Sequence, residues 1–408
     1  MSHINDILTF CVNLSRNMII CGANLERVRL AAETICRAYH LKDISIYLLS
    51  THMSISAFDS EGNYSSRQAS IPGAGIHLER LKSLNRLSYK IAEITPNPKL
   101  LGLMLERAMN VQDYPDKIVL AGKICAASCL CFMFGGGFTD ILPVALVVAV
   151  IHYLMGVLEH TGLDRLVSNA FTMFTASAVA VGFVYSGFGN NLPAILITMS
   201  LLVIPGIPLV NAMRNLLCGN EINGILQMLK IFVETMALGL GMYSALAVLE
   251  GLVALNVSSS PALNPYIMVA LSYVASIGFG VVFRIPVKDL WLAGLGGALA
   301  RIALIVLTPL TSSRLLYMTV SASVAALYAE FFAVKRRQPS TYFVYPSIIP
   351  LIPGDLFFFA LTWLYFGDKA KFELNGINCL ISLAGLCMGF VLSSAVVIHV
   401  RRMKYSKA

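Results

Sequence analysis

A chain of 408 residues that is 57% hydrophobic and 13% charged is too apolar for a soluble protein, where about half the residues are apolar and about a quarter charged. The charge is also uneven: residues 1–117 hold 13 of the 30 Lys and Arg and 11 of the 22 Asp and Glu, leaving 28 charges for the other 291 positions. A water-soluble enzyme is excluded, and the chain divides into an ordinarily charged head (1–117) and a long apolar body that must span a membrane.

The first thirty residues alternate polar and apolar at helical spacing, with no unbroken apolar core before a cleavage site, so a secretory signal peptide is not expected. Helical spacing over 5–20 and 24–40 is interrupted at Cys21-Gly22-Ala23-Asn24. The period then changes: 44–50, 53–58 and the stretch around 63–71 read as strands, with Ser60-Glu61-Gly62-Asn63 as a turn. Residues 77–94 and 97–113 return to helix, giving a small α+β head. The head's net charge of +2 and its lack of a basic run with interleaved aromatics give no sign of a nucleic-acid partner; most of the chain's +8 resides in the body. His40, His52 and His77 accompany Ser and Asp residues, but no nucleophile elbow or metal spacing joins them.

Beyond Pro115 lie ten apolar runs of spanning length, near 118–135, 138–158, 166–186, 191–217, 225–250, 264–284, 289–309, 313–334, 343–366 and 374–400. With the head in the cytoplasm, Arg165, Arg214, Arg284, Lys288, Lys335-Arg336-Arg337, Arg401, Arg402, Lys404 and Lys407 fall at cytoplasmic ends. The outer loops hold only Arg314, Lys369 and Lys371, as expected for a multi-pass plasma (inner) membrane protein with both termini cytoplasmic. Asn256-Val257-Ser258 is a glycosylation-like triplet that would face outside. The nine cysteines fall in the head or in apolar runs, where disulfides are not expected, and Cys125, Cys129 and Cys131 read as packing residues; no metal or other cofactor is expected.

An offset of 148 positions carries Ile204-Pro205-Gly206 onto Ile352-Pro353-Gly354 and the first five runs onto the last five. A unit of five crossings must insert upside down relative to its twin, so the body reads as two inverted five-helix repeats, 118–250 and 264–400, the plan of secondary transporters. Pro205 with Pro208, and Pro350 with Pro353, interrupt runs four and nine at corresponding places. Each break offers the N–H groups and positive end of a second half-helix to an anion such as a carboxylate, or it is a structural kink.

Few charges remain in the apolar runs. Asp355, directly after the second break, either caps the half-helix or carries a proton near the midplane. Glu234 is a second candidate for the proton, and Arg301 either grips a carboxylate or pairs with Glu234 or Asp355. Asn211 and Arg214 follow the first break, Arg214 as a gate or a snorkelling residue. Asp140, after Gly135-Gly136-Gly137-Phe138-Thr139, is a gate or an N-cap, and His152 a proton relay or a single interhelical bond.

The segments Gly22-Ala23 with Arg27, GGGFTD (135–140), VIPGIPLVNAMRNLL (203–217), FRIPVKDLWLAGLGGALAR (283–301) and IPLIPGD (349–355) together resemble the threonine/serine exporter family over nearly the whole chain, in fused form. The stretch STHMSISAF (50–58) departs from the Thr-Pro-Thr-like sequence usual in that family. The resemblance implies a cytosolic head, ten spans and export of small hydroxylated amino acids driven by protons, or of dicarboxylates such as succinate. It supports Gly206, Gly354 and their prolines, Asn211 and Asp355 as site candidates.

The expected function is therefore a secondary exporter rather than an enzyme: Pro205, Gly206, Pro208, Asn211, Arg301, Pro353 and Gly354 bind substrate, Asp355 or Glu234 carries the proton, and Asp140 and Arg214 gate. Its partners are the small-molecule substrate, protons and the lipid bilayer, with a homo-oligomer left open. A membrane-anchored hydrolase using the head's Ser and His residues is the rival of another class, and a structural or sensing protein a third.

Overall fold

The computed structural model describes residues 2–72, 75–203, 206–217, 219–249, 263–336 and 338–405, which separate into two compact units. The first comprises Met1–Tyr114 together with Phe283–Pro286 and Lys335–Tyr342. The unit thus takes in two turns from the apolar part of the chain.

Its elements are α1 (Ser2–Ile20), α2 (Leu25–Ala38), the strands β1 (Lys42–Leu48), β2 (His52–Phe58) and β3 (Tyr64–Ser70), α3 (Leu78–Ile94) and α4 (Leu101–Met109). Three- and four-residue steps put Ile4, Ile7, Leu8, Cys11, Leu14 and Met18 on one buried face of α1. Asn24 starts α2 by accepting the Glu26 N–H at 2.8 Å. The strands form an antiparallel sheet in the order β1-β2-β3, with Ile46 opposite Ile55 and Ile55 opposite Arg67. Alternation in β2 buries Met53, Ile55 and Ala57 completely, and α1 lies over β2 and β3. Between α1 and α2 the chain turns through Gly22, whose φ of +92° and 3.1 Å approach of a would-be Cβ to the Gly75 carbonyl demand glycine.

The turn Phe283–Pro286 is held by main-chain and ionic bonds. Leu78 N–H donates to the Phe283 carbonyl (2.9 Å), the Tyr114 hydroxyl donates to the Ile285 carbonyl (2.6 Å), and Arg284 reaches both the Asp113 carboxylate and the Tyr114 carbonyl at 2.9 Å. In the second turn, Tyr342 lies under the Lys82 ammonium, 5.5 Å from its ring centre.

The second unit is helical: α5 (Asp116–Met133), α6 (Ile141–Glu159), α7 (Arg165–Tyr185), α8 (Leu192–Val203), α9 (Gly206–Leu217), α10 (Glu221–Val248), α11 (Pro265–Val282), α12 (Val287–Leu307), α13 (Arg314–Arg336), α14 (Thr341–Ile348), α15 (Gly354–Tyr365) and α16 (Lys369–Tyr405). Among the described residues seven helices are long and apolar enough to cross a membrane, or nine spans if the two bent pairs each count as one. This is a multi-span membrane protein. The run expected at 118–135 is helical as α5, but its 18 residues include the charges Asp116, Lys117 and Lys123. The offset of 148 carries the starts of α5 to α10 to within two residues of the starts of α11 to α16. The Asn256 triplet lies outside the described residues.

Two buried clusters organise this unit. One joins α5, α6, α7, α8 and α10 and includes Phe358 of α15. The other joins α12, α13, α14 and α16 and includes Val210 of α9. Each helix that follows a break is therefore packed into the cluster built by the other half of the chain. Small residues permit the close approaches: a Cβ on Gly239 of α10 would stand 3.2 Å from Leu361 of α15, and the Cys387 thiol of α16 reaches the Val210 carbonyl at 3.6 Å.

Candidate functional site

The chain from Thr341 to Tyr365 bends by 48° between α14 and α15, passing through a short 3-10 turn at Ile349–Leu351. In an unbroken helix the Gly354 N–H would bond to the Pro350 carbonyl. Here it reaches the Ile352 carbonyl at 2.8 Å instead, and Pro353 has no N–H to offer. The Pro350 carbonyl so released is taken by Nη2 of Arg301, whose Nε donates to the Ser272 hydroxyl at 3.2 Å. Nη1 of Arg301 has no hydrogen-bond partner among the described residues.

Arg301 arrives there because α12 carries glycines on its packed face. A side chain on Gly297 would overlap Ser276 of α11, and one on Gly296 would overlap Ser347 of α14. With α11 and α14 both drawn close, a residue one turn beyond Gly297 meets Ser272 and the break together.

Asp355 begins the first turn of α15, half-buried. Its carboxylate faces the N–H groups of Asp355 and Leu356 and lies in the field of Arg301 and Arg314. The Cys379 thiol of α16 contacts the Pro353 carbonyl at 3.7 Å. The second break therefore gathers a guanidinium, a carboxylate and a helix N-terminus, with hydroxyl and thiol neighbours.

The first break bends by 59° between α8 and α9. Pro205 lies outside the described residues, and so does the side chain of Arg214. Pro208 sits in the first turn of α9, where its missing N–H costs no helical bond. Asn211 donates to the Tyr345 hydroxyl of α14 at 3.0 Å, tying the helix after the first break to the helix before the second. The breaks also touch directly: a Cβ on Gly206 would stand 2.9 Å from Ile352 Cδ1, and one on Gly354 would overlap Leu201 of α8. Gly206, Asn211, Arg301, Pro353, Gly354 and Asp355 thus belong to one neighbourhood.

Other candidates lie elsewhere. Buried Glu234 pairs with Arg165 at 3.6 Å, not with Arg301. Arg165 is the first residue of α7, so Glu234, although more than three turns into α10, is level with a helix end. Asp140 accepts the N–H groups of Gly137 (2.7 Å), Asn190 (2.7 Å) and Asn191 (3.0 Å), clasping the turns before α6 and α8. His152 makes two bonds, to Lys123 and Asp116 of α5, each 3.0 Å. In the first unit His77 caps α3 by accepting the Arg80 N–H at 3.2 Å and meets Asp113 at 3.2 Å. Burial, together with Arg80 and Arg284, holds the His77 imidazole below its ordinary pKa against the opposing pull of Asp113.

Sequence reading did not single out Ser272, Tyr345 or Lys123. Serine and tyrosine are ordinary in membrane helices and carried no signal. Lys123 did: it is a charge inside an apolar run.

Residues 9–249 match the family described as "Putative threonine/serine exporter". Residues 268–396 match the family described as "Threonine/Serine exporter, ThrE". No curated protein and no solved structure matches the chain.

Proposed function

The chain belongs to the threonine/serine exporter family, and from that footing we propose that it exports small carboxylate-bearing metabolites of the threonine/serine type across the plasma membrane in exchange for protons. The observation that carries this reading is the meeting of the two interrupted helices, Gly206 against Ile352 and Gly354 against Leu201. Paired half-helix ends at one place are what a transporter's central site is made of.

The substrate carboxylate is received by the N-terminal N–H groups of α9 and α15 and by the Nη1 edge of Arg301, with Asn211 beside them. Pro205, Pro208 and Pro353 keep the half-helices separate and so keep those donors unclaimed by backbone. Asp355 carries the exchanged proton, since a half-buried carboxylate between a substrate site and a cation can be emptied or filled as the site changes hands. Glu234 is the second proton candidate, and Asp140 and Arg214 are gates at opposite ends. Alternation comes from rocking the two five-helix halves as inverted repeats. The turns with Arg284 and with Lys335 and Arg336 belong to the unit that contains the N-terminus, which supports placing them with both termini in the cytoplasm.

Efflux from preloaded proteoliposomes tests the reading. Labelled threonine and serine should leave faster with an inward proton gradient than without it, and succinate should not. Preferential succinate efflux would move the protein to the dicarboxylate exporters. Asp355→Asn should retain exchange of labelled for unlabelled substrate while losing the response to the gradient; an unchanged response would remove Asp355 from proton coupling.

A further inference from the structure

Away from the two breaks, three titratable side chains stand in line across the contact between α5 and α6. Lys123 Nζ is 3.0 Å from His152 Nδ1, and His152 Nε2 is 3.0 Å from Asp116 Oδ2. Asp116 and Lys123 are two turns apart on α5, about 10 Å along its axis, and the imidazole bridges them with its two nitrogens. Exposure falls along the line, from 66% for the Asp116 side chain to 11% for His152, with Lys123 half-buried.

The chemistry of the partners fixes the state of the ring. An ammonium has hydrogens and no lone pair, so Nδ1 accepts from Lys123; Nε2 then carries the ring's one hydrogen and donates it to Asp116. The two contacts thus select one tautomer of His152, set between a cation and an anion. The other charges on the elements that form this contact are Lys117 on α5, Glu159 at the last position of α6 and Asp140 in the turn that precedes α6. Of the other helices packed on α6, α8 has no charged residue and α7 has only Arg165 at its first position. On α6 itself Tyr153 meets the ring edge-on at 5.2 Å.

We propose that His152 is a proton-binding residue of the transport cycle, and that taking up a proton at Nδ1 expels the Lys123 ammonium and opens the contact between α5 and α6. The step balances without a further reactant. One proton from water forms the Nδ1–H bond, the imidazole becomes imidazolium, and the lone pair that held Lys123 is used up. The Nε2–H bond to Asp116 survives and becomes a charge-assisted one, so the ring stays anchored on one side while it releases the other. Loss of the proton restores the Lys123 bond. A proton is thereby converted into a change in helix contact, as an alternating transporter requires. The inference rests on the proton-exchange reading above and adds to Asp355 a residue remote in sequence from either break.

The test is the pH dependence of transport in proteoliposomes, read with full-length variants. Lys123→Met removes the cation that opposes protonation and should move the pH midpoint of transport up by about one unit; Asp116→Asn removes the favouring anion and should move it down by about as much. His152→Gln should flatten that part of the profile and lower gradient-driven transport by a larger factor than substrate counterflow, which needs no net proton movement. A structural role alone would lower counterflow and gradient-driven transport together, without opposed shifts. Should His152→Gln not fold, the opposed shifts of the other two variants still decide the matter. Shifts of the same sign, or an unmoved midpoint in all three variants, overturn the proposal. Wild-type gradient-driven transport that ignores pH overturns it together with proton coupling, whereas absence of wild-type counterflow overturns the transporter reading itself.

Discussion

Arg301 has two tasks that are hard to separate. Its Nη2 satisfies the Pro350 carbonyl that the break sets loose and its Nε holds Ser272, while Nη1, without a hydrogen-bond partner among the described residues, is the edge proposed for the substrate carboxylate. A lysine there is a point charge on a flexible stem and cannot hold two bonds in a fixed fork. Arg301→Lys should therefore lose about 1.5–3 kcal/mol, one charged hydrogen bond, and transport should fall with it. Thermal unfolding in detergent and efflux check this, and wild-type values in both would leave the fork without a role. In the first unit His77 sets a pH dependence of stability. Its folded pKa lies below the ordinary one, so unfolded chains bind the proton more readily. Stability is then full above about pH 6.5 and falls as the pH drops from there toward the depressed value. Hydrogen exchange of α3 in the full-length protein should show weaker protection at low pH once intrinsic rates are corrected. His77→Asn, which keeps a capping side chain, should abolish that difference.

At the scale of elements, each break is fixed by what lies against it. Proline explains why the helices stop, and glycine explains why their ends can meet. Gly354→Ala would drive a methyl into Leu201, an overpacking that should cost about 1–3 kcal/mol. Adding Leu201→Ala should recover much of that loss, and a melting-temperature comparison of the single and double variants decides. Both breaks were readable, because Ile204-Pro205-Gly206 and Ile352-Pro353-Gly354 repeat at one offset. The level of Glu234 was not. Counting along α10 puts it deep in a span, whereas its bond to the first residue of α7 puts it level with a helix end. Residue counts within one helix cannot give depth when neighbouring helices begin at different levels.

Across the helical unit, the halves exchange the helices that follow their breaks. Phe358 of α15 lies in the cluster of α5 to α8 and α10, and Val210 of α9 lies in the cluster of α12 to α14 and α16. Tyr243 of α10 stacks on Tyr365 of α15 at 4.8 Å between ring centres, and its hydroxyl bonds to Thr362. Neither half can complete its own packing alone. A chain divided between residues 249 and 263 should yield two pieces that copurify when coexpressed and that are degraded or aggregated when made singly. Stable, separate halves would contradict the exchange. The sequence by itself determined the membrane class, the order of the helices, the family and the residues most costly to bury, because apolar run length, proline chemistry and isolated charge are local properties of the chain. Which charge meets which partner was decided only in three dimensions. Arg301 reaches a freed carbonyl, Glu234 reaches Arg165, and His152 stands between Lys123 and Asp116, because glycine-lined helix contacts set the angles and depths at which side chains far apart in the chain can meet.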